Sequence, residues 1–323
     1  MSSRVIPIKA ATKTVPLVGE IRRDDTHWID SRGRPLRDVR ISITDRCNFR
    51  CRYCMPKEKF EKDHCFLSHT EVLSFEEIIR LGRIFAANGV EKIRLTGGEP
   101  LLRKGIEFLI EELSKLKTWN GKPLDVAVTT NGAALSAKAK SLAAAGLKRL
   151  TVSLDAMDPQ IYKDLNDVNF PIEKTLAGIQ AAKDAGIPSI KINVVVKRGV
   201  NEKELIKIAE HFKGTGIIVR YIEFMDVGTS NGWRLDDVIP SRQIVEEINR
   251  VYPIEPLDPN YTGEVATRWA YKDGSGELGF ISSVSEPFCK ECSRIRLSVD
   301  GKLYKCLFAT EGFDIRQMLR GGA

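Results

Sequence analysis

Six of the seven cysteines fall into two groups of three whose spacing is typical of metal binding. The first group is the CX3CX2C run CNFRCRYC, and the second is a CX2C pair followed after thirteen residues by one more cysteine. A structural zinc site takes four protein ligands, so each group is one ligand short. A 4Fe–4S cluster held by three cysteines keeps one iron open for a ligand that is not protein. The two groups are Cys47, Cys51 and Cys54, then Cys289, Cys292 and Cys306.

Zinc is the alternative occupant. His64, ten residues after Cys54, is the nearest candidate for a fourth ligand of the first group. Six cysteines do not complete two separate four-ligand sites, although the groups could share ligands. Because a catalytic cluster needs an open iron, the spacing favours iron–sulfur clusters. Cys65 stands alone, and we expect a small buried side chain there.

Other polar or glycine-rich segments follow predicted strands. Gly97-Gly98-Glu99-Pro100 comes directly after one, and its glycines allow backbone groups to approach a ligand closely. A plain tight turn is the alternative. Further candidate segments are 129–132, 153–155 and 225–228. The first cysteine group is interleaved with residues that could donate hydrogen bonds or positive charge to an anionic cluster, or form a solvated loop face: Arg46, Asn48, Arg50 and Arg52.

Short β-rich runs alternate with segments of helical period. The predicted strands are 39–44, 92–97, 125–130, 149–155, 190–197 and 217–224, and the predicted helices include 74–89, 204–212 and 241–251. Six β–α units in series favour a right-handed parallel barrel or a doubly wound sheet. Neither GxGxxG after the first strand nor GxxxxGK[ST] occurs, which disfavours the doubly wound sheet. We therefore predict an α/β fold with an incomplete (β/α)6 parallel barrel, whose candidate segments share the carboxyl rim.

The alternation sets the predicted domain boundaries. Residues 1–36 are polar and basic and read as a loosely ordered arm into which short apolar pieces could dock. Residues 37–251 form the partial barrel. Residues 252–323 form a small C-terminal domain of hairpins carrying the second cysteine group, with Asp300-Gly301 as a two-residue turn.

Composition excludes several classes of protein. The chain of 323 residues is 42% hydrophobic, and it has neither a membrane-length apolar run nor a signal-peptide core, so we expect a cytoplasmic protein. Seven cysteines in that compartment argue against a disulfide framework. The net charge is +7, and without a nucleic-acid-binding signature it favours a phosphorylated small molecule over nucleic acid.

The motifs carry a family resemblance. CX3CX2C with an aromatic residue before its last cysteine, followed by GGEP, resembles the radical S-adenosylmethionine (SAM) enzymes. TTNG, TVSLDA, KINVVVKRGVN, RYIEFM and CKECSRIRLSVDGKLYKCLF follow in the order typical of the GTP 3′,8-cyclases, the molybdenum cofactor biosynthesis protein A family. The resemblance covers residues 38–313 and implies a radical SAM partial barrel with a cluster-binding C-terminal domain.

The resemblance also implies site residues. The first cysteine group would hold the SAM-cleaving 4Fe–4S cluster, and the second group a cluster whose open iron takes the guanine of GTP. SAM would contact Tyr53, Gly98, Ser153 and Met225. GTP would contact Arg40, Arg94, Thr129, Lys191, Arg294 and Arg296, a set rich in the cations that a triphosphate requires.

The implied reaction is the first step of molybdenum cofactor biosynthesis. A 5′-deoxyadenosyl radical takes hydrogen from the ribose 3′ carbon of GTP, the carbon radical attacks C8 of guanine, and one electron and a proton give (8S)-3′,8-cyclo-7,8-dihydroguanosine 5′-triphosphate. The implied partners are a one-electron reductant, a downstream cyclic pyranopterin synthase and a second copy in a homodimer, with no nucleic acid and no membrane.

Members of the family that this chain resembles typically end in a Gly-Gly tail that reaches into the active site. This chain ends in Arg320-Gly321-Gly322-Ala323, preceded by sequence that resembles the family's interior. We therefore expect a truncated chain that binds both clusters and SAM, and in which restoring the tail raises cyclisation selectively.

Two other functions are weighed against this one. A peptide-modifying radical SAM maturase would usually carry more auxiliary cysteines, and the Arg294-Ile295-Arg296 pair of cations favours a nucleotide. A zinc-stabilised, basic nucleic-acid-binding protein would leave the GGEP segment and the rim pattern unexplained.

Overall fold

The computed structural model describes residues 27–60, 64–225 and 232–321. Strands and helices alternate through its first two thirds. The strands are β1 Asp38–Ser42, β2 Lys92–Thr96, β3 Asp125–Thr130, β4 Arg149–Ser153, β5 Ser189–Val196, β6 Ile218–Glu223, β7 Ile254–Leu257, β8 Thr267–Tyr271, β9 Glu277–Ile281, β10 Arg294–Leu297, β11 Lys302–Tyr304 and β12 Phe313–Asp314. The helices are α1 Phe75–Ala87, α2 Ile106–Ser114, α3 Leu135–Ala144, α4 Pro159–Asn166, α5 Ile172–Asp184, α6 Leu205–Phe212, α7 Ser241–Val251 and α8 Arg316–Arg320.

The strands form one open sheet. Its order is β12-β11-β10-β1-β2-β3-β4-β5-β6-β9-β8-β7, and β1 to β6 are parallel neighbours in chain order. This arrangement confirms the predicted α/β fold with an incomplete parallel barrel. All six predicted strands are present, each within two residues of its predicted bounds.

Strands β1 to β5 each have an apolar face and a mainly polar face. In β5, buried residues alternate with half-buried ones over eight residues, and Val39 and Ile41 of β1 are completely buried on either side of Arg40. The buried faces pack under the helices in one continuous core. The opposite face is polar and lines the concave side of the open sheet, which we call the lumen.

Helix α1 begins as the sequence predicts. The amide of Glu77 donates to Ser74 Oγ at 3.1 Å, and the amide of Ser74 donates to Glu77 Oε2 at 2.7 Å, which is a complete capping box. The helix anchors the described end of the N-terminal arm, where the Trp28 ring meets the Phe85 ring edge-on at 6.4 Å. The remainder of the arm, residues 1–26, lies outside the described residues.

The C-terminal strands extend both edges of the same sheet. Strand β9 pairs parallel to β6 and continues into the antiparallel β8 and β7, while β10 pairs parallel to β1 and continues into β11 and β12. The β10–β11 turn spans three residues rather than the predicted two, since Leu297 pairs with Leu303 and Ser298 donates to the carbonyl of Lys302. Gly301 supplies the left-handed position, at φ +81°.

Across residues 27–60, 64–225 and 232–321, the helices are too short or too polar to cross a bilayer.

A buried carboxylate fastens the last parallel strand to its surroundings. Glu223, at the end of β6, is completely buried and accepts hydrogen bonds from the amides of Ser241, Val284 and Ser285, at 2.7, 2.8 and 2.8 Å. The hydroxyl of Ser285 donates to the same carboxylate at 2.5 Å. Burial alone would raise the pKa of Glu223, but the hydrogen bonds from Ser285 and Ser241 outweigh it and hold the pKa below 4.5.

We expect Glu223→Gln to lower the free energy of unfolding by about 2–4 kcal/mol, because the amide cannot replace the charge-assisted acceptor. The wild-type advantage should be full above pH 4.5 and disappear as the pH falls through the lowered folded pKa. Urea unfolding at neutral and acid pH measures both effects. The control is Glu246→Gln, on an exposed carboxylate that pairs with Arg242. Equal stability of the two variants would contradict this role of Glu223.

Candidate active site

The first cysteine group lies on a loop directly after β1 that is fastened by its backbone. The amides of Arg50 and Arg52 donate to the carbonyls of Asn166 and Leu165 at 3.0 and 3.2 Å, which ties the loop to the end of α4. The guanidinium of Arg50 donates to the carbonyls of Cys47 and Phe49 at 2.8 and 2.9 Å. Arg50 therefore shapes the loop, a role beyond the cluster contact expected from its position.

The surroundings of the cysteine loop disfavour ionisation of its thiols. Burial raises the pKa of Cys47, and burial followed by the charges of Cys54, Asp155 and Cys47 raises the pKa of Cys51. Cys51 Sγ donates to Asn166 Oδ1 at 3.3 Å. Metal binding by these side chains would release protons.

The Gly97-Gly98 pair packs against the start of the cysteine loop. A Cβ on Gly97, whose φ is +139°, would lie 2.3 Å from the carbonyl oxygen of Thr44, and one on Gly98 would lie 2.2 Å from that of Arg46. The amides of Gly98 and Glu99 donate to these same two carbonyls at 2.7 and 2.8 Å. Glycine is required here by neighbouring backbone as well as by any ligand.

Two buried carboxylates connect the rim loops. Glu99 accepts from the Thr130 hydroxyl and the Asn131 amide, both at 2.7 Å, and the Asn131 side chain in turn donates to Asn48 at 2.9 Å. Asp155, after β4, accepts from the Tyr53 hydroxyl at 2.5 Å. Burial raises the pKa of Glu99, and it raises the pKa of Asp155 to about 6.

The residues expected to contact SAM lie along this rim. Tyr53 is in the cysteine loop, Gly98 follows β2, Ser153 ends β4 and Met225 follows β6. A cavity of about 330 Å³ beside the loop is lined by Arg52, Tyr53, Ile161, Asp164, Leu165, Lys197, Gly199, Val200 and Phe224, the last adjacent to Met225. Residues 226–228 of the candidate segment 225–228 lie outside the described residues.

The second cysteine group lies around the first residues of β10. Cys289 is on a 3₁₀ turn, Phe288–Glu291, Cys292 follows it, and Cys306 follows β11. Cys289 and Cys306 are exposed, and Cys292 is half-buried. Partial burial acts to raise the pKa of Cys292, but the guanidinium of Arg294, 3.6 Å from its Sγ, brings the net pKa below the usual value.

Cations from neighbouring strands meet in the lumen. Register places Arg40 of β1 between Arg94 of β2 and Arg296 of β10. Burial, with repulsion from Arg296 and Arg94, lowers the pKa of Arg40 to about 9. Burial, with repulsion from Arg220 and Arg149, lowers that of Lys191 to about 8.

This group of cations has little compensating negative charge. Within the described ranges, no carboxylate lies at ion-pair distance from Arg40, Arg94, Lys191 or Arg220, and the Nε atoms of Arg40 and Arg220 are buried without a hydrogen-bond partner. Asp125, at the start of β3, forms ion pairs with Arg149 at 2.6 Å and with Lys92 at 3.9 Å instead. Half-buried cations without an ion-pair partner favour an anionic ligand.

The structure adds residues that the sequence prediction missed. Arg94 donates to the hydroxyls of Thr129 and Thr151 at 3.0 and 3.1 Å, and Arg220 donates to Thr151 at 3.2 Å from the other side. Burial, with repulsion from Arg94, lowers the pKa of Arg220 to about 9. The signal for Arg220 was present, since it interrupts the apolar strand 217–224 just as Arg94 interrupts 92–97.

The donor chemistry of the two cysteine groups suits iron–sulfur clusters, although within the described residues no three Cys, His, Asp or Glu side chains stand at the mutual distances of an assembled metal site. Thiols on one short loop, fixed by backbone bonds and close enough to raise one another's pKa, are the ligands such clusters use. His64 is not drawn into the first group, because its ring packs between Phe60 and Phe66 at 4.7 and 4.9 Å. Cys65 is exposed rather than buried, contrary to expectation.

Comparison with known proteins agrees with this geometry. The family model of the Radical SAM superfamily matches residues 41–212, and that of Molybdenum Cofactor Synthesis C matches 217–323. A GTP 3′,8-cyclase of Acidothermus cellulolyticus is 50% identical over 291 residues, covering 90% of this chain and 79% of the relative. This chain belongs to the GTP 3′,8-cyclase family of radical SAM enzymes.

Further relatives carry the same family name. The GTP 3′,8-cyclase of Xanthomonas campestris pv. campestris strain B100 is 50% identical over 293 residues, and that of Staphylococcus epidermidis strain RP62A is 46% identical over 295; each match covers 91% of this chain and 85% of the relative. The structure of Streptococcus suis SuiB bound to SAM aligns with a TM-score of 0.65 at 14% identity, over 88% of this chain and 65% of SuiB. At that identity the likeness concerns the fold alone. The GTP 3′,8-cyclase family uses SAM and two 4Fe–4S clusters.

Gly97→Ala should displace the cysteine loop, because its Cβ would overlap the Thr44 carbonyl. We expect loss of iron from the first cysteine group and a lower urea midpoint. Gly276→Ala is the matched control, since Gly276 has the same φ, +139°, but a Cβ there meets nothing within 4 Å. Left-handed strain of about 1–3 kcal/mol applies to both variants, so iron loss shared equally by the two would count against the contact with Thr44.

The Arg220→Gln variant distinguishes two effects of the lumen cations, their mutual repulsion and their binding of an anion. The variant relieves a buried charge, so we expect the chain without ligand to keep its thermal stability, while affinity for inorganic triphosphate falls roughly tenfold or more. Calorimetric titration measures the affinity, with Arg242→Gln, whose side chain is 88% exposed, as control. Unchanged triphosphate affinity in Arg220→Gln would show that the lumen cations do not bind the anion.

Proposed function

We propose that this protein is a GTP 3′,8-cyclase that carries out the first step of molybdenum cofactor biosynthesis. The observation that carries the proposal is the lumen, where half-buried cations without ion-pair partners lie between two groups of three cysteines. A triphosphate of about four negative charges matches this environment, and the Arg forks can grip it through paired hydrogen bonds. The relatives that are about half identical bear the same activity in their names.

The proposal assigns a role to each cysteine group. Cys47, Cys51 and Cys54 would hold a 4Fe–4S cluster whose open iron takes SAM, and Cys289, Cys292 and Cys306 a second cluster whose open iron takes the guanine. Support comes from the sheet, because β1 and β10 are hydrogen-bonded neighbours and each carries one cysteine group close by. The two groups therefore flank one pair of strands, at opposite ends of it.

The contacts to SAM are proposed on the rim. Tyr53, Gly98, Ser153 and Met225 follow β1, β2, β4 and β6, and the cavity beside Tyr53 has the volume of a nucleoside-sized pocket. The bond from Tyr53 to Asp155 holds the cysteine loop against the β4 end of the rim.

The contacts to GTP are proposed in the lumen. The family resemblance implies that the nucleotide would be bound by Arg40, Arg94, Thr129, Lys191, Arg294 and Arg296. The structure adds Arg220 to this set. Arg94 and Arg220 meet at the Thr151 hydroxyl, so their guanidinium planes are held before the anion arrives. Preorganised cations bind without a further ordering cost and would keep the ribose in one orientation.

A reduced cluster held by Cys47, Cys51 and Cys54, together with SAM, would supply a 5′-deoxyadenosyl radical able to take hydrogen from C3′ of GTP. The substrate radical then forms the bond from C3′ to C8 of guanine, and one electron and one proton complete (8S)-3′,8-cyclo-7,8-dihydroguanosine 5′-triphosphate. The chain's contribution is orientation, because a free radical reacts with whatever lies nearest. Arg and Lys side chains also offer the radical no easily broken S–H bond, unlike a free thiol.

The organisation and partners form part of the proposal. Residues 37–251 would act as the SAM-binding barrel, and residues 252–323 as the domain that binds the substrate and the second cluster. Residues 1–36 would form an arm whose C-terminal end docks on the barrel. The protein would work in the cytoplasm with a one-electron reductant, as a homodimer, and pass its product to a cyclic pyranopterin synthase. It would need neither nucleic acid nor a membrane.

Iron and acid-labile sulfide per chain, measured after anaerobic reconstitution, test the proposal directly. About eight irons are expected in the wild type and about four in either triple Cys→Ala variant, since each group would hold one cubane. Cys65→Ala is the control and should keep the full count. With GTP deuterated at C3′, the deuterium should appear in 5′-deoxyadenosine.

Zinc in place of iron, or an iron count unchanged by loss of the second group, would overturn the assignment of two clusters. Full iron with deuterium retained in the nucleotide would instead overturn the assignment of GTP as substrate.

A further inference from the structure

The N-terminal segment before β1 contains a rigid hairpin. Ile29 and Pro35 form an antiparallel bridge, and the amide of Gly33, at φ +76°, donates to the carbonyl of Asp30 at 3.0 Å. The Asp30 carboxylate caps the turn by accepting from the amides of Arg32 and Arg34 at 2.9 and 3.0 Å. Local hydrogen bonds therefore fix both the backbone and the carboxylate.

The hairpin aims one arginine at the second cysteine group. Arg34 Nε and Nη2 donate to Asp30 Oδ2 at 2.8 and 2.6 Å, which fixes the plane of the guanidinium. The remaining Nη1 donates to the backbone carbonyl of Cys289. A segment more than 250 positions earlier in the sequence thus directly contacts the second residue of the 3₁₀ turn.

The turn is held by hydrogen bonds more than by burial. At its far end the amides of Arg37 and Asp38 donate to the carbonyl of Ser293 at 3.0 and 3.1 Å. At its near end Cys289 is exposed, so few packing contacts replace the bond from Arg34. A hydrogen bond from a charged donor is stronger than one between neutral groups, so the bond from Arg34 is a large part of what positions this end.

We propose that Arg34, fixed by Asp30, is a positioning residue for the second cluster: it holds the Cys289 end of the turn and places a positive charge beside the bound cluster. The inference rests on the proposed function, in which Cys289, Cys292 and Cys306 hold that cluster. A positive charge next to an anionic cluster stabilises its reduced form and raises its midpoint potential. Loss of Arg34 would loosen the turn and lower that potential.

Hydrogen exchange on the full chain tests the positioning. In Arg34→Gln, amides of residues 289–293 should exchange roughly tenfold faster, since one charge-assisted bond is lost, while amides of the first cysteine loop stay unchanged. Arg32→Gln is the matched control, because Arg32 is exposed and meets Asp30 through its backbone amide. Equal exchange in Arg34→Gln, Arg32→Gln and the wild type would overturn the proposal.

A redox titration on the reconstituted protein tests the charge. In a Cys47→Ala, Cys51→Ala, Cys54→Ala background, Arg34→Gln should shift the midpoint potential of the second cluster to more negative values, and Arg34→Lys should restore part of the shift. A potential unaffected by Arg34→Gln would overturn this inference alone, leaving the proposed function intact. A wild type that binds about four irons instead of about eight would overturn it together with the second cluster.

Discussion

Burial of like charges in the lumen is the constraint to which the rest of the structure responds. Arg40, Lys191 and Arg220 all have pKa values lowered by burial and by neighbouring cations, so folding works against their charge. The strands supply the compensating free energy through their opposite faces, where aliphatic side chains are completely buried. A bound polyanion reverses the sign of the electrostatic contribution, so substrate binding and stability of the fold are linked.

The acidic side chains of the rim leave this field largely intact. Glu99, Asp155 and Glu223 follow or end β2, β4 and β6, and each accepts at least one backbone amide of a neighbouring segment. These carboxylates therefore bind backbone amides of the rim loops and do not neutralise the positive charge of the lumen cations. The same bonds connect the cysteine loop to β3 through Asn131 and to β4 through Tyr53. One set of carboxylates thus both builds the rim and preserves the positive potential beneath it.

Local signals predicted much of this molecule. The six parallel strands, the α1 capping box and the rim position of GGEP are properties of short stretches, and the structure confirms them. Arg220 and Thr151 were missed because their role depends on which strands become neighbours. The placement of β9 and β10 at the two ends of the barrel sheet was equally beyond local periodicity, since it requires pairing between distant parts of the chain. The docking of Trp28 and Arg34 also depends on such long-range partners.

The position of β10 beside β1 has a consequence during synthesis of the chain. β1 is among the first strands to leave the ribosome, and β10 among the last, so the outer edge of β1 has no strand partner for most of translation. Throughout that period the first cysteine loop can fold against β2 and α4, whose residues follow it closely. The outer edge of β1 is thus covered only when the strand next to the second cysteine group has been made. The lumen can therefore be completed only late in synthesis, because β10 lies near the end of the sequence.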